Sequence, residues 1–106
     1  MAERISIKDF EEKVIHEELP VLVDFYSDSC ITCKKMAGVI GQIEEEYGGK
    51  MKVYKVNTHF EKDLVEKYGI LSVPTFLIFI GESETSRVSG VQKKEELINL
   101  LLNRRD

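Results

Sequence analysis

The stretch from Val21 to Cys33 decides the fold: it reads Val-Leu-Val-Asp-Phe-Tyr-Ser-Asp-Ser-Cys-Ile-Thr-Cys. Its first six residues, Val21–Tyr26, are β-branched and apolar almost throughout, which is typical of a strand buried on both faces of a parallel sheet. Pro20 precedes this strand, where no backbone donor is needed. Two cysteines, Cys30 and Cys33, follow where the strand turns into a helix. A buried strand that leads into a helix indicates an α/β fold.

The helix after this strand has a predicted start, an apolar stripe and an end. Asp28 or Ser29 can cap it by accepting a hydrogen bond from a free backbone N–H of the first turn. The pair Gly48-Gly49 ends the pattern, which predicts a glycine with positive φ at the carboxyl end. The stripe consists of Cys33, Met36, Ala37, Ile40, Ile43 and Tyr47.

Outward from this stretch, the same periodicities predict four more strands and three more helices. Ile5 and Ile7 alternate with polar residues as a weak first strand, and a helix spans Asp9 to Glu18, started by Ser6 or Asp9. The remaining predictions are a strand over Met51–Asn57, a helix marked by Phe60, Leu64 and Tyr68 and closed by Gly69, a strand over Thr75–Ile80, a Gly81–Ser83 turn, a return strand over Thr85–Ser89, and a C-terminal helix marked by Leu97, Ile98, Leu101 and Leu102. This order implies right-handed crossovers, helices on both faces of a central sheet, and an antiparallel edge hairpin.

Length and composition exclude several classes of protein. The chain has 106 residues, which fits a single domain over residues 1–106. Lys plus Arg is 15 and Asp plus Glu is 19, so the net charge of −4 argues against a nucleic-acid binder. The longest apolar run, Phe76–Ile80, is too short to cross a bilayer, and no signal peptide follows Met1. We therefore expect a cytoplasmic protein that contacts neither nucleic acid nor membrane.

The two cysteines carry the strongest chemical signal. Residues i and i+3 in the first turn of a helix share one face, so Cys30 and Cys33 are close enough for a disulfide. Such a small ring constrains the unfolded chain little, which favours exchange chemistry over a structural role. Cys30 lies near the positive end of the helix dipole, which favours its thiolate, the attacking species. We expect Cys30 to be the exposed nucleophile and Cys33 the resolving thiol.

Other interpretations of the cysteine pair are weaker. Two chance core cysteines would not need this spacing. Half of a zinc site needs further ligands, and only His16 and His59 are present, in separate helices, so we expect no metal. A structural disulfide is disfavoured by the ring size and by a reducing cytosol.

Asp24 is the second chemical feature, because it places a carboxylate inside an otherwise apolar strand. Burial should raise its pKa, and a carboxylate of raised pKa near the helix start can act as general base for Cys33. Lys55, on the inner face of the neighbouring strand, is its expected partner. The alternative is a structural Asp–Lys pair, which would affect stability instead of exchange rate.

Together these residues resemble the thioredoxin family over nearly the whole chain. The resemblance is carried by Val23-Asp24-Phe25, the Cys30/Cys33 pair, Lys55, Tyr68-Gly69-Ile70, Val73-Pro74-Thr75 and Gly90. It implies a central mixed sheet of four or five strands flanked by four helices. It also implies a cis Val73–Pro74 bond beside the disulfide, which the pattern of residues alone does not justify because cis is rare even before proline.

The resemblance further implies a substrate surface around Cys30. The backbone of Val73 would pair with a substrate peptide, a short strand-addition contact. Gly90 would complete an apolar lip around Cys30, with Pro74 beside it, and Ile31 belongs to the same substrate surface.

Four departures from the family pattern bear on specificity and redox potential. Ser29 and Tyr26 stand where the family often has Trp, and Gly38 replaces a helix-kinking proline. Ile31-Thr32 replaces Gly-Pro between the cysteines, so Thr32 restores a backbone N–H and adds a hydroxyl. Extra donors near the Cys30 sulfur would stabilise the thiolate, although Asp28 opposes this, so we expect a potential above the −270 mV or so that is typical of thioredoxin.

The sequence therefore predicts a thioredoxin-type thiol–disulfide oxidoreductase, a monomer that needs no cofactor of its own. Its partners would be disulfide-containing client proteins and a separate reductase, because the chain has no Gly-rich nucleotide loop. A glutaredoxin-like reductase of glutathione mixed disulfides is an alternative, but it needs a site for the glutathione carboxylates, and there is no obvious basic cluster for them beyond Lys34-Lys35. A non-catalytic binding module of the same fold is another, although such a module needs neither cysteine.

Overall fold

The computed structural model describes residues 2–102. Within that range, strands and helices follow the predicted order. The elements are β1 (Glu3–Arg4), α1 (Ile7–Phe10, continued by a π-helical segment, Glu11–Ile15), β2 (Val21–Tyr26), α2 (Ile31–Tyr47), β3 (Lys52–Asn57), α3 (Lys62–Lys67), β4 (Thr75–Ile80), β5 (Ser83–Ser89) and α4 (Lys94–Leu102). No helix in the described range is long and apolar enough to span a membrane.

The five strands form one mixed sheet in the order β1-β3-β2-β4-β5. Strands β1 and β2 both run parallel to β3, whereas β4 is antiparallel to β2 and to β5. This confirms the predicted fold class. The register places Asp24 of β2 beside Lys55 of β3 on one side and Phe76 of β4 on the other.

Strand β2 is buried as predicted, because helices cover both faces of the sheet. Val21 to Phe25 are all buried, and alternate side chains enter two separate cores. The first core includes Val21, Val23, Phe25, Phe10, Val14 and Leu64. The second core includes Leu22, Met36, Ile40, Ile43, Leu97 and Leu101.

The N-terminal prediction was wrong in its boundaries. The first strand is Glu3–Arg4, and Ile7 begins α1 instead of extending the strand. The backbone N–H of Ile5 still donates to Lys55, but the Ser6 carbonyl already accepts from Asp9 and starts the helix. The choice between Ser6 and Asp9 is thus settled for Ser6 as the cap position, without a side-chain cap bond.

Two predicted helix ends also differ in mechanism. Gly48 follows the last residue of α2, but its φ is −57°, so the helix ends there without the expected positive φ. Gly69, which closes α3, does adopt a positive φ of 63°. Phe60 was expected on the buried stripe of α3, yet it precedes the helix and is largely exposed.

Candidate active site

The sulfur of Cys30 caps helix α2. Cys30 is the residue before the helix, and its Sγ accepts a hydrogen bond from the backbone N–H of Cys33 at 3.1 Å. The predicted caps, Asp28 and Ser29, are therefore wrong: the cysteine itself occupies that position. This contact places the Cys30 sulfur at the positive end of the helix dipole. Thr32, the expected extra donor, makes no hydrogen bond to this sulfur among the described residues.

Cys33 lies one turn further and faces inward. Both cysteines are free thiols, but Cys33 is only 7% exposed whereas Cys30 is half-buried. Burial, followed by its hydrogen bond with Cys30 and the nearby charge of Asp24, raises the pKa of the Cys33 thiol to about 12. The Cys33 thiol is therefore protonated at neutral pH.

Three segments meet at Cys30. The Sγ of Cys30 lies 3.8 Å from the carbonyl oxygen of Val73, and the Val73–Pro74 bond is cis, as the family resemblance implies. The carbonyl oxygen of Pro74 in turn accepts a hydrogen bond from the N–H of Gly90 at 2.9 Å, and Gly90 has a φ of 83°. The structure thus connects Cys30, Val73, Pro74 and Gly90 through direct contacts.

Thr75 and Asn57 fix the loops around this meeting point, and sequence reasoning gave neither a role of its own. The hydroxyl of Thr75 donates to the carbonyl of Ser72 and shares a second hydrogen bond with Ser89, both at 2.8 Å. The side chain of Asn57 donates to the carboxylate of Asp28 at 3.2 Å and accepts from the N–H of His59. Buried polar residues at strand ends are the signal that identifies both.

Asp24 is buried on the face of β2 that points toward α2. It is 5% exposed, and its Oδ1 has no hydrogen-bond partner among the described residues. Burial raises the pKa of its carboxyl to about 7, and the positive charge of Lys55 only partly offsets this. The predicted rise is confirmed. The expected Asp24–Lys55 ion pair does not form; instead the Nζ of Lys55 lies 5.1 Å from the centroid of the Tyr26 ring.

A cavity of about 160 Å³ joins these groups below the cysteine pair. Its lining residues are Asp24, Tyr26, Ser27, Asp28, Cys33, Lys34, Ala37 and Lys55. The structure therefore brings Asp24, Lys55 and Cys33 to one space, as predicted. Proton transfer between a carboxyl and a thiol can take place within such a cavity, directly or through water.

The outer rim of the site is apolar. Ile31 is 73% exposed at the first position of α2, and two residues without a predicted role match it: Leu71 at 96% and Val91 at 68%. Each stands within two residues of Cys30, Val73 or Gly90 along the chain. A large apolar residue in a loop beside the Val-Pro-Thr motif is the sequence signal for Leu71. Within residues 2–102, no group of three or more His, Cys, Asp or Glu residues has the arrangement of a metal site.

Comparison with known proteins gives one consistent result. The family model described as Thioredoxin matches residues 2–103. The chain is 40% identical to the thioredoxin of Synechocystis sp. over 98 residues, which is 92% of each chain. It is 38% identical to the thioredoxin of Rickettsia bellii, covering 97% of this chain and 98% of that one. It is 37% identical to thioredoxin 1 of Nostoc sp. over 94% of each chain.

Proposed function

The chain belongs to the thioredoxin family and is a thiol–disulfide oxidoreductase, and on that premise we propose that Cys30 is its attacking thiol, Cys33 its resolving thiol and Asp24 the base that activates Cys33. One observation carries the proposal: the Cys30 sulfur caps α2 and accepts the N–H of Cys33, whereas Cys33 faces a buried carboxyl. The two thiols therefore have different environments. That of Cys30 suits attack on the client disulfide, and that of Cys33 suits the later step that releases the reduced client.

The first half of the reaction uses Cys30. Its thiolate attacks one sulfur of a client disulfide, and a bond forms between Cys30 Sγ and that sulfur as the client S–S bond breaks. The second client sulfur leaves as a thiolate and takes up a proton from water. The N–H that the helix N-terminus presents to this sulfur would stabilise the negative charge of the attacking group.

The second half uses Cys33 and Asp24. Because the pKa of Cys33 is raised to about 12, its proton must be removed, and the carboxylate of Asp24 lines the same cavity. A carboxyl with a pKa of about 7 is a stronger base than an ordinary aspartate and is still partly ionised at neutral pH. The Cys33 thiolate attacks Cys30 Sγ, the mixed disulfide breaks, and the reduced client leaves. Two electrons have then passed from the dithiol to the client.

Client binding would use the backbone of Val73 and the apolar rim formed by Ile31, Leu71 and Val91. Exposed apolar side chains of this size beside a reactive group mark an interaction surface. Ser29 supplies no apolar area before Cys30, so Leu71, almost wholly exposed, is the larger apolar contact. The proposed clients carry apolar residues next to their disulfides, and Pro74 and Gly90 shape the contact.

The reaction leaves a Cys30–Cys33 disulfide, so the cycle requires a separate reductase as electron donor. Thioredoxin relatives imply such a donor and disulfide-containing clients. We further propose that the chain works as a monomeric single domain in the cytoplasm, where reducing conditions keep Cys30 and Cys33 in the dithiol form.

The test is trapping of the mixed disulfide with insulin as the probe substrate. Cys33→Ser should accumulate a covalent complex through Cys30, because attack proceeds and resolution does not. Cys30→Ser should accumulate none, although it keeps the other thiol. Non-reducing electrophoresis and mass spectrometry identify the joined cysteine.

The opposite pattern would reverse the roles of the two cysteines. A complex with neither variant would reject the proposed exchange reaction. Lys35→Ser is a matched control, because it changes an exposed residue of the same helix that does not line the cavity, and it should leave turnover and trapping as they are in the parent protein.

A further inference from the structure

Lys55 forms no ion pair with Asp24, the carboxylate that lies beside it in the sheet. Asp24 and Lys55 are direct neighbours in the parallel register of β2 and β3, and both line the cavity. Yet these two described residues form no ion pair, and Oδ1 of Asp24 is buried without a hydrogen-bond partner. The ammonium of Lys55 lies instead over the ring of Tyr26, 5.1 Å from its centroid.

We propose that Tyr26 is a positioning residue of the exchange reaction: its ring holds the Lys55 ammonium away from Asp24 and leaves the Asp24 carboxyl free to exchange a proton with Cys33. The inference rests on the proposed role of Asp24 as base and adds the residue that controls it. Among the described residues no hydrogen bond joins Tyr26 to either sulfur, and its proposed effect is exerted through Lys55.

The cost of desolvation explains why the Lys55 ammonium lies over the Tyr26 ring and forms no ion pair with the Asp24 carboxylate. An ammonium over an aromatic face is attracted by the ring, and the ring of Tyr26 is only half-buried. Pairing with Asp24 would require both charges to lose water deep in the cavity, a cost that can exceed their attraction. An ammonium is strongly hydrated, which increases that cost.

The position of Lys55 matters for catalysis because an ion pair would weaken the base. An opposite charge within about 4–6 Å of a carboxyl lowers its pKa by about 1–3 units. Asp24 paired in that way would accept the Cys33 proton less readily, and the thiolate that attacks Cys30 Sγ would form more slowly. The cation–π contact therefore preserves the basicity that burial creates.

The other ionisable groups near Asp24 are few. Cys33 and Lys34 face the cavity from α2, Lys55 faces it from β3, and Asp28 from the loop after β2. On the β4 side the neighbour is Phe76, which has no ionisable group. A substitution of Tyr26 leaves all of these in place, so a change in Asp24 titration reports the movement of Lys55.

The experiment is a carbon-13 NMR titration of the Asp24 carboxyl in the disulfide form of the protein, in which neither cysteine titrates. Tyr26→Leu removes the ring face and should lower the Asp24 midpoint by about one pH unit, because Lys55 becomes free to pair with the carboxylate. Tyr26→Phe keeps the ring face and should match the parent protein. In a Lys55→Met background, Tyr26→Leu should cause no shift, which closes the double-mutant cycle.

The same variants are then tested for release of the insulin mixed disulfide as a function of pH. The rising limb of the Tyr26→Leu profile should move to lower pH together with the NMR midpoint, and its plateau rate should fall about three- to tenfold because the base is weaker. If Tyr26→Leu fails to fold, Tyr26→Met provides the same comparison.

Three results would overturn the proposal: an unchanged Asp24 midpoint in Tyr26→Leu, the same shift in the Lys55→Met background, or a shifted midpoint with an unchanged release rate. Each of these three results is distinguishable from failure of the proposed function. That failure would appear as absence of a trapped complex with Cys33→Ser in a protein whose Tyr26 is intact.

Discussion

The two faces of strand β2 differ in what they bury. One face lies in an apolar core and consists of Val21, Val23 and Phe25. The other face consists of Leu22, Asp24 and Tyr26, and only Leu22 belongs to a hydrophobic core. The same six-residue strand thus stabilises the fold on one side and holds a carboxyl beside a thiol on the other. The difference shows that burial acts in two ways here: it contributes free energy where side chains are apolar and shifts a pKa where one is not.

Phe79 tests the apolar face. It lies in β4 and makes edge-to-face ring contacts with Phe10 and Tyr68, at centroid distances of 5.6 and 5.8 Å. Phe79→Ala should lower the free energy of unfolding by about 3–5 kcal/mol, through lost transfer energy and the cavity left behind. Urea unfolding at pH 5 and pH 8 should give the same loss, because the contact contains no carboxyl.

Phe60→Ala is the matched control for that measurement. It removes the same side chain from an exposed position and should change the free energy of unfolding by less than about 0.5 kcal/mol. A loss of similar size in both variants, or a loss at Phe79 that depends strongly on pH, would contradict the division between the two faces.

Substitution of Asp24 tests the other face of β2, which we call the reactive face and which carries Asp24 and Tyr26. Here we expect the substitution to raise the free energy of unfolding. Its pKa is raised from 3.8 to about 7 in the folded protein, so the folded state holds a proton that the unfolded state has released between these two pH values. Stability should therefore fall as pH rises from about 4 to about 7 and stay reduced above that range. At 1.36 kcal/mol per unit, the penalty from this carboxyl reaches about 4 kcal/mol at pH 8.

Asp24→Asn removes that penalty. The variant should match the parent protein near pH 4 and exceed its free energy of unfolding by up to about 4 kcal/mol at pH 8, while releasing trapped client more slowly. Urea unfolding of the reduced proteins at several pH values measures the difference. Asp63→Asn, on the exposed surface of α3, is the control and should show no such gain. A variant that is less stable at pH 8 would mean that Asp24 is a structural partner of Lys55.

The sequence predicted the buried parts of the fold best. Strands Val21–Tyr26 and Thr75–Ile80 have the predicted boundaries. Both are largely apolar and almost wholly buried, so the interior of the sheet is the only environment that suits them. Boundaries at the surface were predicted less well. Ile7 has the alternation of a strand residue, but the hydrogen bond from Asp9 to Ser6 already belongs to a helix. Periodicity does not reveal which backbone groups pair near a chain end.

The sequence predicted that three residues of the candidate site lie together, but not the contacts between them. Asp24, Cys33 and Lys55 do share a cavity, because strand register and helical spacing place them there. The sequence favoured an Asp24–Lys55 pair because opposite charges are the obvious match. It did not show that the ammonium lies over the ring of Tyr26 instead, since that depends on side-chain positions that the strand pattern does not define. Cys30 was likewise not recognised as its own helix cap.

Substitution of Leu71 tests whether residues outside β2, at the apolar rim of the site, also contribute to reaction with the client. Leu71→Ser should lower kcat/KM for insulin about fivefold, equivalent to about 1 kcal/mol, because a wholly exposed leucine that becomes partly covered by a client gains about that much. Reduction of glutathione disulfide should change little, since so small a substrate reaches Cys30 without covering the rim. The reduction potential should also stay the same, because the substitution leaves the hydrogen bonds of the Cys30 sulfur in place.

Ile7→Ser is the matched control, because Ile7 is also an exposed apolar side chain but lies in α1. It should leave kcat/KM for insulin within about twofold of the parent value, since surface substitutions away from a contact have small effects. Equal losses for insulin and for glutathione disulfide in Leu71→Ser would mean that the rim affects the cysteines instead of the client. The apolar rim would then make no contact with the client, and client binding would depend on the backbone of Val73.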